Sequence, residues 1–209
     1  MLGCHSTPST QPPGSRREAQ DGRLISRALP SATFRIDPAL RYLGVDSFAL
    51  NGIAHVERYF FAETRGGVVR RLLGFQFEDI LPGVDEIYRW QIRSPRLIGG
   101  ETYHSTAFVF SVPSQVLAEP DAEIARTVAF LGRQGLRLED EQLVARFARV
   151  IGHDRRHEFI IFYNEPLAAT GHALAEVRAA DEDLKPEFVG LRTAITARAL
   201  ESFTVRGPS

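Results

Sequence analysis

Two histidines stand beside acidic residues in the segment GHDRRHEFIIFYNE, which covers residues 152–165. His153 and His157 are four residues apart, and on a helix this spacing places both rings on one face. Together with the carboxylate of Glu158 they would offer zinc two nitrogen ligands and one oxygen ligand. A metal site is therefore one interpretation of the segment, and it depends on a helical backbone at residues 153–157.

The neighbouring residues favour a different interpretation. Gly152 is a typical helix end, and the apolar run that begins at Phe159 is typical of a buried strand. In extended chain the two histidines lie ~13 Å apart, which is too far to share one ion. Arg155 and Arg156 add positive charge that repels a cation. We therefore predict a charged corner between a helix and a strand, without a metal ion.

A predicted β-hairpin carries the second group of candidate residues. Two strand-like runs, residues 48–63 and 68–78, flank the turn sequence Thr64-Arg65-Gly66-Gly67. A loop of even length pairs Val56 with Phe75 and puts alternate residues of both strands on a common face. That mainly apolar face consists of Ala54, Val56, Arg58, Phe60 and Ala62 on one strand and Val69, Arg71, Leu73, Phe75 and Phe77 on the other.

Arg58 and Arg71 are the unusual members of this face, and the pairing makes them diagonal neighbours. A buried guanidinium needs a partner, either a carboxylate of the protein or a bound anion. In the first case both arginines form structural ion pairs at the rim of the sheet, and in the second they anchor an acidic ligand in an apolar pocket. The residues predicted to bind such a ligand are Arg58, Arg71, Phe60, Phe75, Tyr88, Trp90 and Tyr103.

Candidate catalytic groups are few. His55 and Glu57 alternate along one strand and could act as a general acid–base pair, with His104 as a further candidate. Exposed surface positions explain these residues more simply, so we predict no catalytic residue. Neither the GxGxxG nor the GxxxxGK[ST] phosphate-binding motif occurs, and we predict no cofactor.

The spacing of apolar residues, which predicts the elements that position these side chains, changes near the middle of the chain. The first half consists of strand-like runs at residues 32–37, 48–63, 68–78, 87–92 and 102–112. Helical spacing is found at residues 121–135, 143–151, 174–180 and 186–203. Residues 159–163 form one further strand, covered on both faces. This order predicts an α+β fold, with a curved antiparallel sheet of about five or six strands packed against three or four mostly C-terminal helices.

Length and composition limit the fold and the partners. A chain of 209 residues with 44% hydrophobic residues can bury one sizeable core, and residues 23–209 are predicted to form a single domain. Residues 1–22 contain several prolines and lack apolar periodicity, which predicts a disordered tail. Charge is balanced, with 25 basic and 26 acidic residues, which argues against a nucleic-acid partner. The apolar runs are too short to predict a transmembrane helix.

Cys4 gives the N-terminus a second interpretation. A Leu-Gly-Cys sequence followed by a Ser/Thr/Pro-rich run resembles the lipidation site of bacterial lipoproteins. The hydrophobic segment that precedes such a cysteine is missing, so we expect a cytoplasmic protein. A start site upstream of Met1 would change this expectation to a cell-envelope lipoprotein.

These observations together predict a non-catalytic binding domain whose apolar pocket takes a small amphipathic molecule, acidic molecules included. Two alternatives remain. One is an enzyme that uses the same cavity with a His/Glu acid–base pair, and the other is a structural or partner-binding lipoprotein of the cell envelope. The sequence leaves the identity of the ligand and the oligomeric state open.

Overall fold

The computed structural model describes residues 16–119, 122–180 and 183–207. The strands in this part of the chain are β1 (Arg17–Gln20), β2 (Arg23–Ser26), β3 (Ala32–Ile36), β4 (Arg41–Leu50), β5 (Ala54–Arg65), β6 (Val68–Ile80), β7 (Pro95–Ile98), β8 (Glu101–Ser111), β9 (Glu141–Ile151), β10 (His157–Pro166) and β11 (Phe203–Arg206). The α-helices are α1 (Val112–Ala118), α2 (Glu123–Gly132), α3 (Leu174–Val177) and α4 (Val189–Glu201), and 3-10 turns cover Leu167–Thr170 and Pro186–Phe188.

The strands form two antiparallel sheets. The larger sheet has seven strands in the order β4-β5-β6-β10-β9-β8-β7, and the smaller has four in the order β1-β2-β3-β11. The predicted α+β class, the antiparallel pairing and the mostly C-terminal helices are confirmed. The prediction of one sheet with five or six strands is wrong, because short runs of four residues such as β1, β2, β7 and β11 carry too little alternation to be recognised.

The seven-stranded sheet is covered on both sides. One side, here called the core face, carries Phe75 and Phe159 and packs against the small sheet and α4 in the larger hydrophobic cluster. The other side, here called the α2 face, carries Phe60 and packs against Phe130 of α2 in a second, smaller cluster. Successive residues of each strand point alternately to these two faces.

The largest departure from the predicted elements is β9. Residues 143–151 were expected to form an amphipathic helix, yet Glu141–Ile151 is a strand between β8 and β10. Its apolar residues point to both faces, because the sheet is covered on both sides, and the arginines at positions 146 and 149 give the run an apparent helical period. The helix prediction is therefore wrong.

Other predicted boundaries are corrected locally. The strand-like run expected at residues 48–63, with an interruption at Gly52, belongs to two strands, β4 and β5, which are separated by a turn in which Asn51 and Gly52 have positive φ. Residues 87–92 form an irregular segment instead of a strand. The tail boundary at residue 22 falls inside the first hairpin, since Arg17–Gln20 pairs with β2. Asp121, the first residue of the helix predicted at 121–135, and Cys4 lie outside the described residues.

The β5–β6 hairpin has a different register from the predicted one. Gly66 and Gly67 form a two-residue turn with positive φ at both positions, so the loop is even in length as expected. A bulge next to Glu63 adds one residue to β6, and beyond it Val56 pairs with Glu78 instead of Phe75. This odd shift flips the faces of the two strands relative to each other. Arg58 and Arg71 consequently lie on opposite faces of the sheet, and their prediction as diagonal neighbours is wrong.

Candidate functional site

A cavity of about 320 Å³ lies between the α2 face of the sheet and the α1–α2 segment. Its wall combines apolar and polar side chains. The apolar ones are Phe108, Phe110, Ala122, Ile124, Val144, Ile160 and Phe162. The polar ones are Arg58, Gln76, Gln115, Glu119, Glu123, Thr127, Arg146 and Asn164. A larger depression of about 590 Å³ lies elsewhere in the described part of the chain and is bordered by Arg198 and Glu165, which pair with each other.

The cavity floor is formed by alternate residues of β6, β10 and β9. Phe162 lies on the α2 face opposite Gly74 of the neighbouring strand, and its ring occupies the space that a side chain at position 74 would need. The ring also packs edge-on against Phe60. Gly74 therefore permits an aromatic floor, because any Cβ there would collide with the Phe162 ring.

Arg58 forms part of the cavity wall, but its guanidinium already has hydrogen-bond partners within the protein. Its side chain is 1% exposed, and its guanidinium donates to Asp46 Oδ2 at 2.7 Å, to the Glu123 carbonyl at 2.8 Å and to Thr127 Oγ1 at 3.1 Å. Two of these acceptors belong to α2 and one to β4. Arg58 therefore fastens α2 to the sheet, as the structural alternative for this residue requires.

Arg71 is remote from the cavity. It lies on the core-face side of β6, where its Nε donates to Glu63 at 2.5 Å and its Nη1 donates to Asp37 at 2.9 Å. Its side chain is 25% exposed, so water screens these ion pairs. The structure thus gives both predicted arginines carboxylate partners and places them at two different sites.

Arg146 and Arg58 are the two arginines of the cavity wall given above, and Arg146 has the weaker ion pair with the protein. It lies on β9 opposite Phe162 and lines the cavity, and its side chain is 34% exposed. Within the described residues its nearest carboxylate is that of Glu158, 3.8 Å from Nη2 and beyond hydrogen-bond distance. Sequence analysis did not select Arg146, because residues 143–151 were predicted to form an amphipathic helix and not a strand of the sheet.

Two buried carboxyl groups lie side by side next to Arg146. Glu78 on β6 and Glu158 on β10 are cross-strand partners, and both side chains point to the α2 face. Burial and, second, the neighbouring Glu78 raise the pKa of Glu158 to about 7. Burial also raises the pKa of Glu78, while hydrogen bonds from Tyr88 and Gln76 oppose this change. Glu158 is therefore a buried carboxyl group whose pKa is near neutral.

Tyr88 and Trp90 are brought to this carboxyl pair by the irregular segment between β6 and β7. The Tyr88 hydroxyl donates to Glu78 Oε2 at 2.7 Å, and the nearby Trp90 indole acts to lower the pKa of Glu158. Arg155 holds the segment by donating to the carbonyls of both aromatic residues. The two aromatic residues therefore act on the buried carboxyl pair and do not form the cavity wall.

The histidine-containing segment is a turn between two strands, so the predicted helix-to-strand corner is corrected to a strand-to-strand one. His157 begins β10, and its Nδ1 lies 2.6 Å from Asp79 Oδ1, whereas His153 is exposed in the turn. Among residues 16–119, 122–180 and 183–207 no group of three or more His, Cys, Asp or Glu side chains is arranged to hold a metal ion. Arg155 and Arg156 of this turn bind backbone carbonyls of the β6–β7 segment.

The remaining predicted site residues are spread over both faces. Phe75 and Tyr103 belong to the core-face cluster, and Phe60 lies under α2 next to the cavity. His55 and Glu57 are on the core-face side, where His55 contacts Ser47 at 2.9 Å and Glu57 pairs with Arg17 at 2.6 Å. The structure therefore separates this candidate acid–base pair from the cavity.

His104 is the one candidate histidine on the same face as the cavity. Its Nδ1 accepts hydrogen bonds from the backbone N–H groups of Arg93 and Ser94 at 3.2 Å, and its ring lies 5.9 Å from that of Trp90. Burial, followed by the charges of Arg146 and Arg93, lowers the pKa of His104. The histidine is therefore neutral at physiological pH and fixed in orientation.

Asn164 is a further cavity residue that sequence reasoning did not select. It lies on β10, is 6% exposed and lines the cavity. Its Oδ1 is buried and has no hydrogen-bond partner within the described residues. A polar residue in an apolar strand run is the sequence signal that could have identified it, since buried amides normally have partners.

Comparisons with known protein families, with curated proteins and with solved structures found no match. Over the part of the chain described above, no helix combines the length and the apolar character needed to cross a bilayer.

Proposed function

We propose that this protein binds a small amphipathic molecule in the cavity on the α2 face, with the anionic group of the ligand paired to Arg146. The observation that carries the proposal is a cavity-lining guanidinium whose nearest described carboxylate lies at 3.8 Å. An incoming carboxylate could form the charge-assisted hydrogen bonds that Glu158 does not form with Arg146.

The apolar part of the ligand has a matching wall. Phe108, Phe110 and Phe162 supply aromatic surface, and Ile124 of α2 closes the opposite side. A volume of about 320 Å³ is at the lower end of the range for small-molecule sites, which are concave, mainly apolar and carry a few polar groups. The cavity therefore suits a ligand with one medium-length chain or a single ring.

The anchoring role moves from the predicted arginines to Arg146. Arg58 contributes wall surface, but its Nη1 and Nη2 already donate to Asp46 and to α2. Arg71 lies outside the cavity. The amphipathic and acidic ligand class stays the same, while the residue that recognises the charge is different.

Calorimetric titration with undecanoate tests this proposal. Wild-type protein should bind, and Arg146→Met, which keeps the apolar stem and removes the charge, should weaken binding about 10- to 100-fold, as expected for a charged hydrogen bond. Arg149→Met is the matched control on the same strand, because Arg149 pairs with Glu101 away from the cavity. Unchanged binding in the control supports the proposal. Absence of binding by wild type, or equal affinity in Arg146→Met, contradicts it.

A second candidate function is an enzyme that uses Glu158 as a general acid or base. The observation in its favour is a buried carboxyl whose pKa of about 7 suits proton transfer at neutral pH, 3.8 Å from the cavity residue Arg146. Under this proposal a bound compound changes in mass on incubation with wild type and stays intact with Glu158→Gln. An unchanged compound in both cases leaves binding as the function.

A further inference from the structure

The buried side chain of Asn164 lines the same cavity as Arg146. Its cross-strand neighbours are Leu72 and Val144, and Phe162 precedes it on the same face of β10. All three belong to, or pack against, the apolar cluster under α2. Its direct neighbours on this face therefore offer the amide no hydrogen bond.

Other buried amides of this sheet show how unusual this arrangement is. Gln76 donates to Glu78 at 2.6 Å and also to Glu123, and Gln142 donates to the Glu139 carbonyl at 2.8 Å. Asn164 Oδ1, by contrast, has no such partner within the described residues, although it lines the cavity. A buried polar atom without a partner is costly, and a ligand that completes its hydrogen bonding removes that cost.

The positions of Asn164 and Arg146 define what the ligand must carry. Arg146 pairs with Phe162 and Val144 pairs with Asn164, so the two polar residues are diagonal neighbours on adjacent strands. Diagonal neighbours have Cβ atoms about 7–8 Å apart, a distance that a ligand spans with two adjacent polar groups. An asparagine side chain offers an acceptor and a pair of donors together, which is the complement of another amide.

Building on the proposed function, we infer that the ligand is an N-acyl amino acid or a similar molecule with an amide next to its carboxylate. The amide N–H of the ligand donates to Asn164, its carboxylate pairs with Arg146, and its acyl chain lies against Phe108 and Ile124. A simple fatty acid satisfies the arginine and the apolar wall but leaves the asparagine without a partner. The asparagine is thus the residue that distinguishes the two ligand classes.

Three probes of equal chain length test this inference by calorimetry. N-octanoylglycine contains the amide, undecanoate replaces it with methylene groups, and N-octanoylsarcosine keeps the carbonyl but lacks the N–H. Wild-type protein should bind N-octanoylglycine about 3- to 10-fold more tightly than either of the others, as expected for one neutral hydrogen bond. Equal affinity of wild type for all three probes overturns the inference while the proposed function stands.

Asn164→Leu provides the second arm. The variant should bind undecanoate like wild type and should bind N-octanoylglycine no better than undecanoate. If the variant keeps its preference for the acylglycine, Asn164 does not bind the amide of the ligand and the inference fails. If wild type binds none of the three probes, the proposed function fails together with the inference. The sarcosine comparison uses wild-type protein, so the test does not depend on correct folding of the variant.

Discussion

The two faces of the seven-stranded sheet are built from alternate residues of the same strands, yet they differ in what they bury. On the core face Phe75 packs against the rings of Phe34, Phe61, Phe159 and Phe203. On the α2 face the corresponding positions include charged and amide side chains. The same strands thus supply a closed apolar core on one side and a polar cavity on the other.

The difference follows from the elements that cover each face. The small sheet and α4 provide apolar side chains that pack directly on the core face, among them Leu24, Phe34 and Ile195. The α2 face is covered by two short helices, and the contact of α2 with the sheet depends on Arg58 as well as on Phe130. Incomplete cover by the helices leaves the cavity, and polar residues on the sheet face it.

The largest difference in stability is expected when one phenylalanine on each face is replaced by alanine. Phe75→Ala removes a fully buried ring from the core face and should lower the free energy of unfolding by about 3–5 kcal/mol. Phe108→Ala removes a ring that already borders the cavity and should lower it by about 1–2 kcal/mol. Urea unfolding of both variants measures these values, and equal losses would show that the α2 face is packed as fully as the core face.

Arg58 and Arg71 differ in how deeply their ion pairs are buried. Arg58→Met leaves Asp46 and the α2 acceptors without their donor and should lower the free energy of unfolding by about 3 kcal/mol, as for a broken buried pair. Arg71→Met should lower it by less than about 1 kcal/mol, because Asp37 and Glu63 remain in contact with water. Thermal and urea unfolding provide the readout. A small loss for Arg58→Met would contradict its role in fastening α2 to the sheet.

The buried carboxyl pair of the α2 face predicts that the stability of the protein depends on pH. Unfolded Glu158 ionises near pH 4.5 and folded Glu158 near 7, so between these values the folded state holds a proton that the unfolded state has lost. The free energy of unfolding should therefore fall as the pH rises from 4.5 to 7. The fall is at most about 1.4 kcal/mol for each unit by which the folded and unfolded pKa values differ. In Glu158→Gln this fall should be reduced, and equal pH profiles of the two proteins would contradict a buried ionisable Glu158.

The smallest expected change is a gain in stability. Asn164→Leu replaces an amide that lacks a partner by an apolar side chain of similar size, and the free energy of unfolding should rise by about 1 kcal/mol. The matched change Gln76→Leu should lower it, because Gln76 donates to Glu78 and Glu123. A loss of stability in Asn164→Leu would show that the asparagine serves the fold.

Several elements could be predicted from the sequence because each depends on local pattern alone. The strand β6, the glycine turn before it and the helix α2 follow from alternation, turn residues and helical spacing. The helix α4 and the strand β10 follow from the same signals. For such elements tertiary packing agrees with the local preference.

The site could be predicted only in part because it depends on tertiary arrangement. The bulge beside Glu63 shifts the hairpin register by an odd number and separates Arg58 from Arg71, and no residue type marks it in the sequence. The strand β9 is covered on both faces, which hides its alternation and with it the role of Arg146. Arg58, which lines the cavity, could be selected because a charge in an apolar run stands out locally.

Ligand binding on the α2 face should leave the core face unchanged, and isoleucine methyl NMR tests this most directly. Ile160 and Ile161 are consecutive residues of β10 that point to opposite faces, and Ile124 and Ile195 lie in the helices on the two sides. During titration with undecanoate, the methyl signals of Ile124 and Ile160 should shift while those of Ile161 and Ile195 stay in place. Shifts at Ile161 and Ile195 instead, or binding without a shift at Ile124 and Ile160, would contradict the account.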